Sequence, residues 1–271
     1  MSKILIMPSD KNQLKIKSDG VIVGIKDLSV GVLELDINEI KNINDKEVFI
    51  SINKNISNKE LDYLKKVLLE LNEIDIKGVI FYDLAIPNLK ETLNLKYPLI
   101  WSQCHHTTNN KTALFWSNYV EGVWISNDIT LEEMKKMSNT KLLTMVTLFG
   151  YLPMFVSKRP LISNYLKTFN LNSKSKYYLS KEEKKYPILE NNGVQVYTNF
   201  VLDGLKESLV LKNIDYIVLN GLDIYNLEKV FELFKNLTED NLNYSQQELN
   251  ELIPNLGKGF LYQETIYRVK K

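Results

Sequence analysis

The sequence predicts an α/β fold, a (β/α)8 TIM-type barrel, and three observations carry that expectation. Short β-like apolar runs alternate with amphipathic helical stretches along most of the 271 residues, and eight such runs can be counted. Eight strands separated by helices in about 250 residues is the arithmetic of such a barrel, though an open doubly wound sheet would show a similar pattern. After the first run the chain reads Val23-Gly-Ile-Lys-Asp27, without the glycine fingerprint of a dinucleotide-binding open sheet.

The eight expected strands lie at 21–25, 48–52, 78–82, 99–103, 122–126, 141–147, 195–198 and 216–219. Helical spacing follows the first at Leu35, Ile37, Ile40 and Ile43. The second precedes a capping box, Ser57 with Glu60, and an apolar face at Leu61, Leu64, Val67, Leu68 and Leu71. Short helices are expected from Pro87 and near 111–117, and a second capping box at Thr130 and Glu133 opens another. Helices are expected around 202–211 and 224–234, with Ser245 and Glu248 capping the last. One barrel domain over 1–271 results, with a segment at 150–193 inserted between strands 6 and 7, where the alternation breaks.

Composition narrows the function classes. Thirty-four Lys+Arg against 33 Asp+Glu exclude a strongly basic nucleic-acid-coating chain, and 44% hydrophobic residues suffice for a core. A single cysteine excludes a disulfide framework and a cysteine-built metal site. No apolar run approaches the ~18–20 residues of a membrane span, so a cytoplasmic protein is expected.

A barrel presents its strand C-terminal ends and the following loops as the functional surface. Those ends carry Lys26, Asp27, Asn53, Asp83, Gln103, His105, His106, Asn127, Asp128, Thr147, Asn199 and Asn220. A pocket lined by several of them competes with a trivial reading, since strands commonly finish in polar turns. Asp83, His105 and Asp128 are the candidate acid–base residues, and Asn53, Asp83, Gln103 and Asn199 the candidate substrate contacts. Cys104-His105-His106 is too sparse for a metal site, and no metal ligand set is expected. Metalloprotease, nucleophile-elbow and phosphate-loop motifs are absent. Residues 157–186 hold eight Lys+Arg, two Glu and five aromatics. Cations on phosphate and rings on unpaired bases make this composition suit RNA, with Lys158 and Arg159 as phosphate contacts; a solvated loop is the plain alternative.

The stretch Gly150-Tyr-Leu-Pro-Met-Phe-Val-Ser-Lys-Arg-Pro-Leu-Ile-Ser-Asn-Tyr165 resembles the signature region of the collagenase-like proteins of peptidase family U32. The match is closest to the shorter of the paired Bacillus-type paralogues linked to transfer RNA hydroxylation. Phe81-Tyr-Asp83, Trp101-Ser-Gln103, Ser126-Asn-Asp-Ile-Thr-Leu-Glu-Glu133, Asn220-Gly221 and Gly257-Lys-Gly-Phe260 keep the family's order over most of the chain. The resemblance implies a barrel and oxygen-independent hydroxylation of transfer RNA wobble uridine, ribosomal RNA or a quinone precursor, in several members with a four-cysteine iron–sulfur cluster. Here Pro153 and Pro160 stand at the two signature cysteines and the later pair is missing, so no cofactor is expected. The late Glu-Gly-Arg landmark has become Asn220-Gly221-Leu222, which weakens a carried-over catalytic role. Three readings follow. The first is a cluster-free subunit for transfer RNA hydroxylation, partnered by transfer RNA and a longer cysteine-containing paralogue. The others are a collagenase-like peptidase and a non-catalytic barrel scaffold.

Overall fold

The computed structural model describes residues 2–103 and 106–263. In chain order the first half comprises β1 (Lys3–Met7), β2 (Gly20–Ile25), β3 (Glu34–Leu35), α1 (Ile37–Lys41), β4 (Glu47–Ile52), α2 (Leu61–Leu71), β5 (Gly78–Phe81), α3 (Ala85–Leu93), β6 (Leu99–Trp101) and α4 (Asn110–Trp116). The second comprises β7 (Gly122–Trp124), α5 (Leu131–Met137), β8 (Leu143–Ser157), α6 (Leu161–Thr168), β9 (Tyr177–Lys181), β10 (Lys184–Glu190), β11 (Val194–Asp203), α7 (Leu205–Ser208), β12 (Tyr216–Asn220), α8 (Leu227–Lys235), α9 (Leu242–Leu252) and β13 (Leu256–Gly257).

Strands β1, β2, β4, β5, β6, β7, β8 and β12 pair in that order, all parallel, and the β12–β1 ladder closes the ring. The expected TIM-type barrel is therefore present, but its membership differs from the sequence reading. The ring begins with Lys3–Met7, which sequence patterning passed over. Conversely, 195–198 belongs to β11, which runs antiparallel to β8 outside the ring. A short first strand at a chain start and a long apolar hairpin strand look alike to a pattern search, and the two errors cancelled in the count. The inserted segment thus leaves from the seventh barrel strand and returns before the eighth.

Residue alternation along each strand builds two cores. In β4, Phe49 points into the barrel with Leu5, Ile22, Ile80, Ile100, Met145, Tyr216 and Val218, forming a packed interior. Val48, Ile50 and Ile52 point outward against the helices, where Leu64, Val67, Leu68 and Leu71 of α2 meet them. Burial on both sides explains why these strands read as unbroken apolar runs, each fully buried side chain contributing roughly 1.5–3 kcal/mol.

The capping boxes at Ser57/Glu60 and Thr130/Glu133 are both formed. The first opens a 3-10 turn leading into α2. Ser245 is not a cap: it lies buried inside α9, which starts after Asn241. The helix expected over 202–211 shrinks to Leu205–Ser208 because β11 continues to Asp203.

The segment at 150–193 is an antiparallel arm rather than an irregular loop. β8 is 15 residues long; its first half stands in the barrel and its second half pairs with β11 in a sheet ordered β8-β11-β10-β9. The exit point is Gly150, at φ +109°, where an added Cβ would sit 2.4 Å from the Asn220 carbonyl oxygen. Only glycine allows β8 to leave the ring so close to the end of β12. Helix α6 covers one face of the arm, with Ile162, Tyr177 and Tyr186 around Ile188, Val194 and Val196. The Glu190 carboxylate accepts from the backbone N–H groups of Ile162 and Ser163 and so caps α6.

Candidate functional site at the barrel mouth

Above the apolar plug the inward positions turn polar. Two residues beyond Phe49 comes Ser51, and two further Asn53; Ser102 just past β6, Ser126 just past β7 and Thr147 on β8 add further hydroxyls. With Met7, Tyr82, Gln103, Trp124, Asn127, Asp128, Tyr151 and Asn220 they line a cavity of about 90 Å³ at the C-terminal face. The arm roofs it: Gln195 and Tyr197 of β11 and Pro153 of β8 complete the lining.

Hydrogen bonds divide this lining into scaffold and open groups. Asn53 clamps Val30, accepting from its N–H (2.7 Å) and donating to its carbonyl oxygen (2.8 Å). Asn127 donates to the Thr147 carbonyl (2.7 Å), and Asn220 donates to the Tyr151 carbonyl (2.7 Å) while accepting from Leu222. These amides hold loops, in the manner of buried polar groups generally. By contrast, the hydroxyls of Ser51, Ser102 and Thr147 have no side-chain hydrogen bond to another described residue. Gln103 reaches the Tyr82 carbonyl only at 3.4 Å, and the Gln195 carboxamide oxygen accepts from the Tyr197 hydroxyl (3.1 Å), leaving its amino group toward the cavity. The open groups are neutral donors and acceptors beside the rings of Trp124, Tyr82 and Tyr151.

The structure gathers Asn53, Gln103 and Asp128 at this mouth. Asp83 lies outside its lining: its carboxylate accepts from the N–H groups of Ile56 (2.7 Å) and Ala85 (3.0 Å), tying two loops together. Asn199 sits on β11 away from the cavity, its carbonyl accepting from Asn255. Lys158 and Arg159 are exposed just past β8, on the arm. His105 lies outside the described residues. Of the mouth hydroxyls the strand ends point to Thr147 but not to Ser51, Ser102 or Ser126, although a lone serine at the end of an apolar strand, just before a polar exit, is a usable signal. For Gln195 and Tyr197 there is no local signal, because the arm brings them back from far along the chain.

Two latches hold the arm over the mouth. At the β10–β11 turn, Asn191 accepts from Gly31 N–H (2.9 Å), and Asn192 donates to the Ser29 carbonyl (3.2 Å) and the Glu34 carboxylate. Burial, then the neighbouring Asp27 charge, pushes the Glu34 carboxyl above its ordinary value against the Asn192 hydrogen bond. Gly31, at φ +72°, is so close under the roof that an added Cβ would lie 1.9 Å from Gln195 Oε1. On the other side Lys176 pairs with Asp223 (2.6 Å) and reaches the Tyr225 hydroxyl (2.8 Å), while the Tyr178 hydroxyl donates to Asp223 (3.0 Å). Burial opposes the Lys176 charge, but the Asp223 and Tyr225 hydrogen bonds outweigh it and raise its pKa. Between the latches a groove of about 680 Å³, sharing Met7, Gly31, Val32 and Asn220 with the cavity, leads from solvent to the mouth.

Barrel, polar mouth and arm define a TIM-type protein with a roofed polar cavity at the C-terminal ends of its strands. The chain belongs to peptidase family U32, whose model matches residues 15–238. An uncharacterized protease of Methanocaldococcus jannaschii is 23% identical over 286 positions, covering 89% of this chain and 67% of that relative. Among solved structures, a GH18 chitinase from Cycas revoluta in complex with (GlcNAc)3 aligns at TM-score 0.39 and 10% identity, over 80% of this chain and 94% of its own. A chitinase from Rhizomucor miehei aligns at TM-score 0.40 and 11% identity, over 92% and 99%. Likeness at that level adds nothing to the barrel already described. None of the described helices is long and apolar enough to cross a membrane.

The four-cysteine cluster found in several members of the family does not fit this chain. Four cysteine ligands would be needed and the chain has one cysteine; Pro153, which lines the mouth, and Pro160, which precedes α6, stand where the resemblance places two of them. Proline offers no ligand to iron.

Proposed function

We propose that this U32 protein is a cluster-free subunit that binds transfer RNA and receives a wobble uridine at the barrel mouth, the oxidation being carried out by a longer cysteine-containing paralogue. The observation that carries the reading is the neutral open lining of the mouth. Uracil presents two carbonyl acceptors and one N–H donor on a flat ring. The Ser51, Ser102 and Thr147 hydroxyls and the Gln103 and Gln195 amides offer matching partners beside Trp124. A base reaching this site is unstacked, and the cationic, aromatic surface of the arm supports the surrounding strand.

RNA binding by the arm is tested by the salt dependence of transfer RNA affinity. Lys176 is unsuitable as a probe because it also latches the arm to Asp223. Lys158, Arg159 and Lys185 are exposed and form no ion pair among the described residues. Replacing all three by Gln lowers the slope of log K against log salt by roughly 0.7–0.9 for each phosphate that is no longer neutralised. An unchanged slope overturns the assignment.

The names of the family and of its archaeal relative favour a second reading, peptide hydrolysis at the same mouth, with Asp128 as the carboxylate in its lining. Gelatin cleavage by the purified chain that disappears in Asp128→Asn supports it over the first.

A further inference from the structure

At the opposite end of the barrel, where the parallel strands begin, lies a basin of about 720 Å³ unrelated to the mouth. Four lysines from four separate segments face it: Lys3 at the start of β1, Lys77 before β5, Lys141 before β8 and Lys212 before β12. Parallel strands begin with N–H groups that need acceptors, and carboxylates supply them here. Asp19 accepts from Ile4, Glu121 from Leu99, and Asp215 from both the N–H (2.7 Å) and the hydroxyl (2.9 Å) of Thr144. Asp215, the one carboxylate in the basin's lining, is thereby committed.

Glu47, beside the floor, is committed as well. It is shared by Lys3, Lys77 (3.5 Å) and the Tyr216 hydroxyl (2.9 Å). Lys141 and Lys212 are exposed and have no ion pair with any described residue. Four ammonium groups set against the Glu47 and Asp215 carboxylates leave a positive surplus around the concavity, and the resulting potential concentrates anions. Tyr216, the basin's aromatic residue, is buried and bonded to Glu47, so it offers no face for a base.

We infer that this basal basin is a binding site for a small anion carrying two or three adjacent phosphate groups, held by Lys141 and Lys212 with Lys3 and Lys77 behind them. Lysine recognises phosphate as a point charge, and several lysines on different sides favour a run of phosphates over a single one. The site is independent of the RNA reading of the mouth and arm.

The test is calorimetric titration of the full chain with sodium tripolyphosphate at low salt, with orthophosphate as comparison. Saturable tripolyphosphate binding, weaker for orthophosphate, is expected. Lys141→Gln/Lys212→Gln weakens it by at least about tenfold, the scale of removing two close charge pairs near a protein surface. Lys206→Gln/Lys229→Gln, exposed and outside both the basin and the mouth, leaves it unchanged. Lys212→Glu alone serves as a second variant, with an unshifted melting curve as its folding control. Absence of saturable binding overturns the site, as does binding that survives the basal substitutions. A single-stranded RNA oligonucleotide separates the other source of phosphate. If RNA affinity falls in the basal variant while tripolyphosphate does not bind, the small-anion assignment is overturned in favour of a nucleic-acid backbone.

Discussion

The barrel and the arm are built from the same apolar β-prone residues, yet they are stabilised in different ways. In the barrel each strand is covered on both faces, and Phe49, Leu5 and Ile22 are fully buried inside the ring. The arm buries one modest cluster around Ile188, Val194 and Val196, and leaves Phe155, Tyr165 and Phe169 at least half exposed. What fixes its position is a small set of directional contacts at two latches, Asn191 and Asn192 on one side and Lys176 and Tyr178 on the other. Hydrophobic burial defines the ring, and side-chain hydrogen bonds place the roof. A roof held in this way is the part expected to open, since few buried contacts make for low local stability.

The sharpest contrast comes from the ring itself. Phe49→Ala removes a fully buried ring packed edge-on to Tyr216 at 5.1 Å, and is expected to lower global stability by about 3–5 kcal/mol. Denaturant unfolding followed by fluorescence measures this, and a loss under about 1 kcal/mol, on the scale of ordinary surface changes, would mean that the interior is not the cooperative core.

Gly31→Ala separates the two regions. The added Cβ meets Gln195 Oε1 and the Tyr197 hydroxyl at 1.9 and 2.3 Å, in a backbone conformation disfavoured for alanine. The expected cost is about 1–3 kcal/mol, felt in the arm. Hydrogen exchange should show faster exchange in β9, β10 and β11 with β4 and β5 unchanged. Equal acceleration in both would show that the arm and ring open as one unit.

The smallest effect is pH dependence at the Glu34 latch. Its folded pKa is raised, chiefly by burial, so the folded state holds the proton more tightly than the unfolded state does. Stability from this group is therefore greatest below the ordinary carboxylate value and is lost as pH rises through the raised one. Arm protection should decline over that window in the parent and stay flat in Glu34→Gln. A decline of the same size in the variant would assign the pH response to another group.

This contrast also explains what was legible in the sequence. Ring strands such as Val48–Ile52 and helix α2 announce themselves locally, because burial on a regular element leaves a period in the sequence. Capping boxes at Ser57 and Thr130 are local too, and both are formed. The arm's strands carry charge on exposed faces and proline inside them, so 150–193 reads as a break, while β1 is a five-residue run with no helix pattern after it to mark it as a barrel strand. At the mouth, Asn53, Gln103 and Asp128 were foreseeable from strand ends. Asp83 has the same local signature but serves as a loop tie, a distinction that depends on Ile56 and Ala85 in space. Gln195 and Tyr197 reach the mouth through contacts between residues far apart in the chain, such as Tyr197 with Gly31, which no window on the sequence contains.

The most direct check on the proposed role is nucleoside mass spectrometry of total transfer RNA from a strain lacking this gene, beside its parent and a strain restored with the gene. Loss of 5-hydroxyuridine-derived nucleosides in the deletion, recovered by the wild-type gene and not by a Ser51→Ala/Ser102→Ala/Thr147→Val variant, is the expected result. An unchanged profile, in a parent that makes the modification and has no compensating paralogue, would contradict it and leave peptide hydrolysis as the reading to pursue.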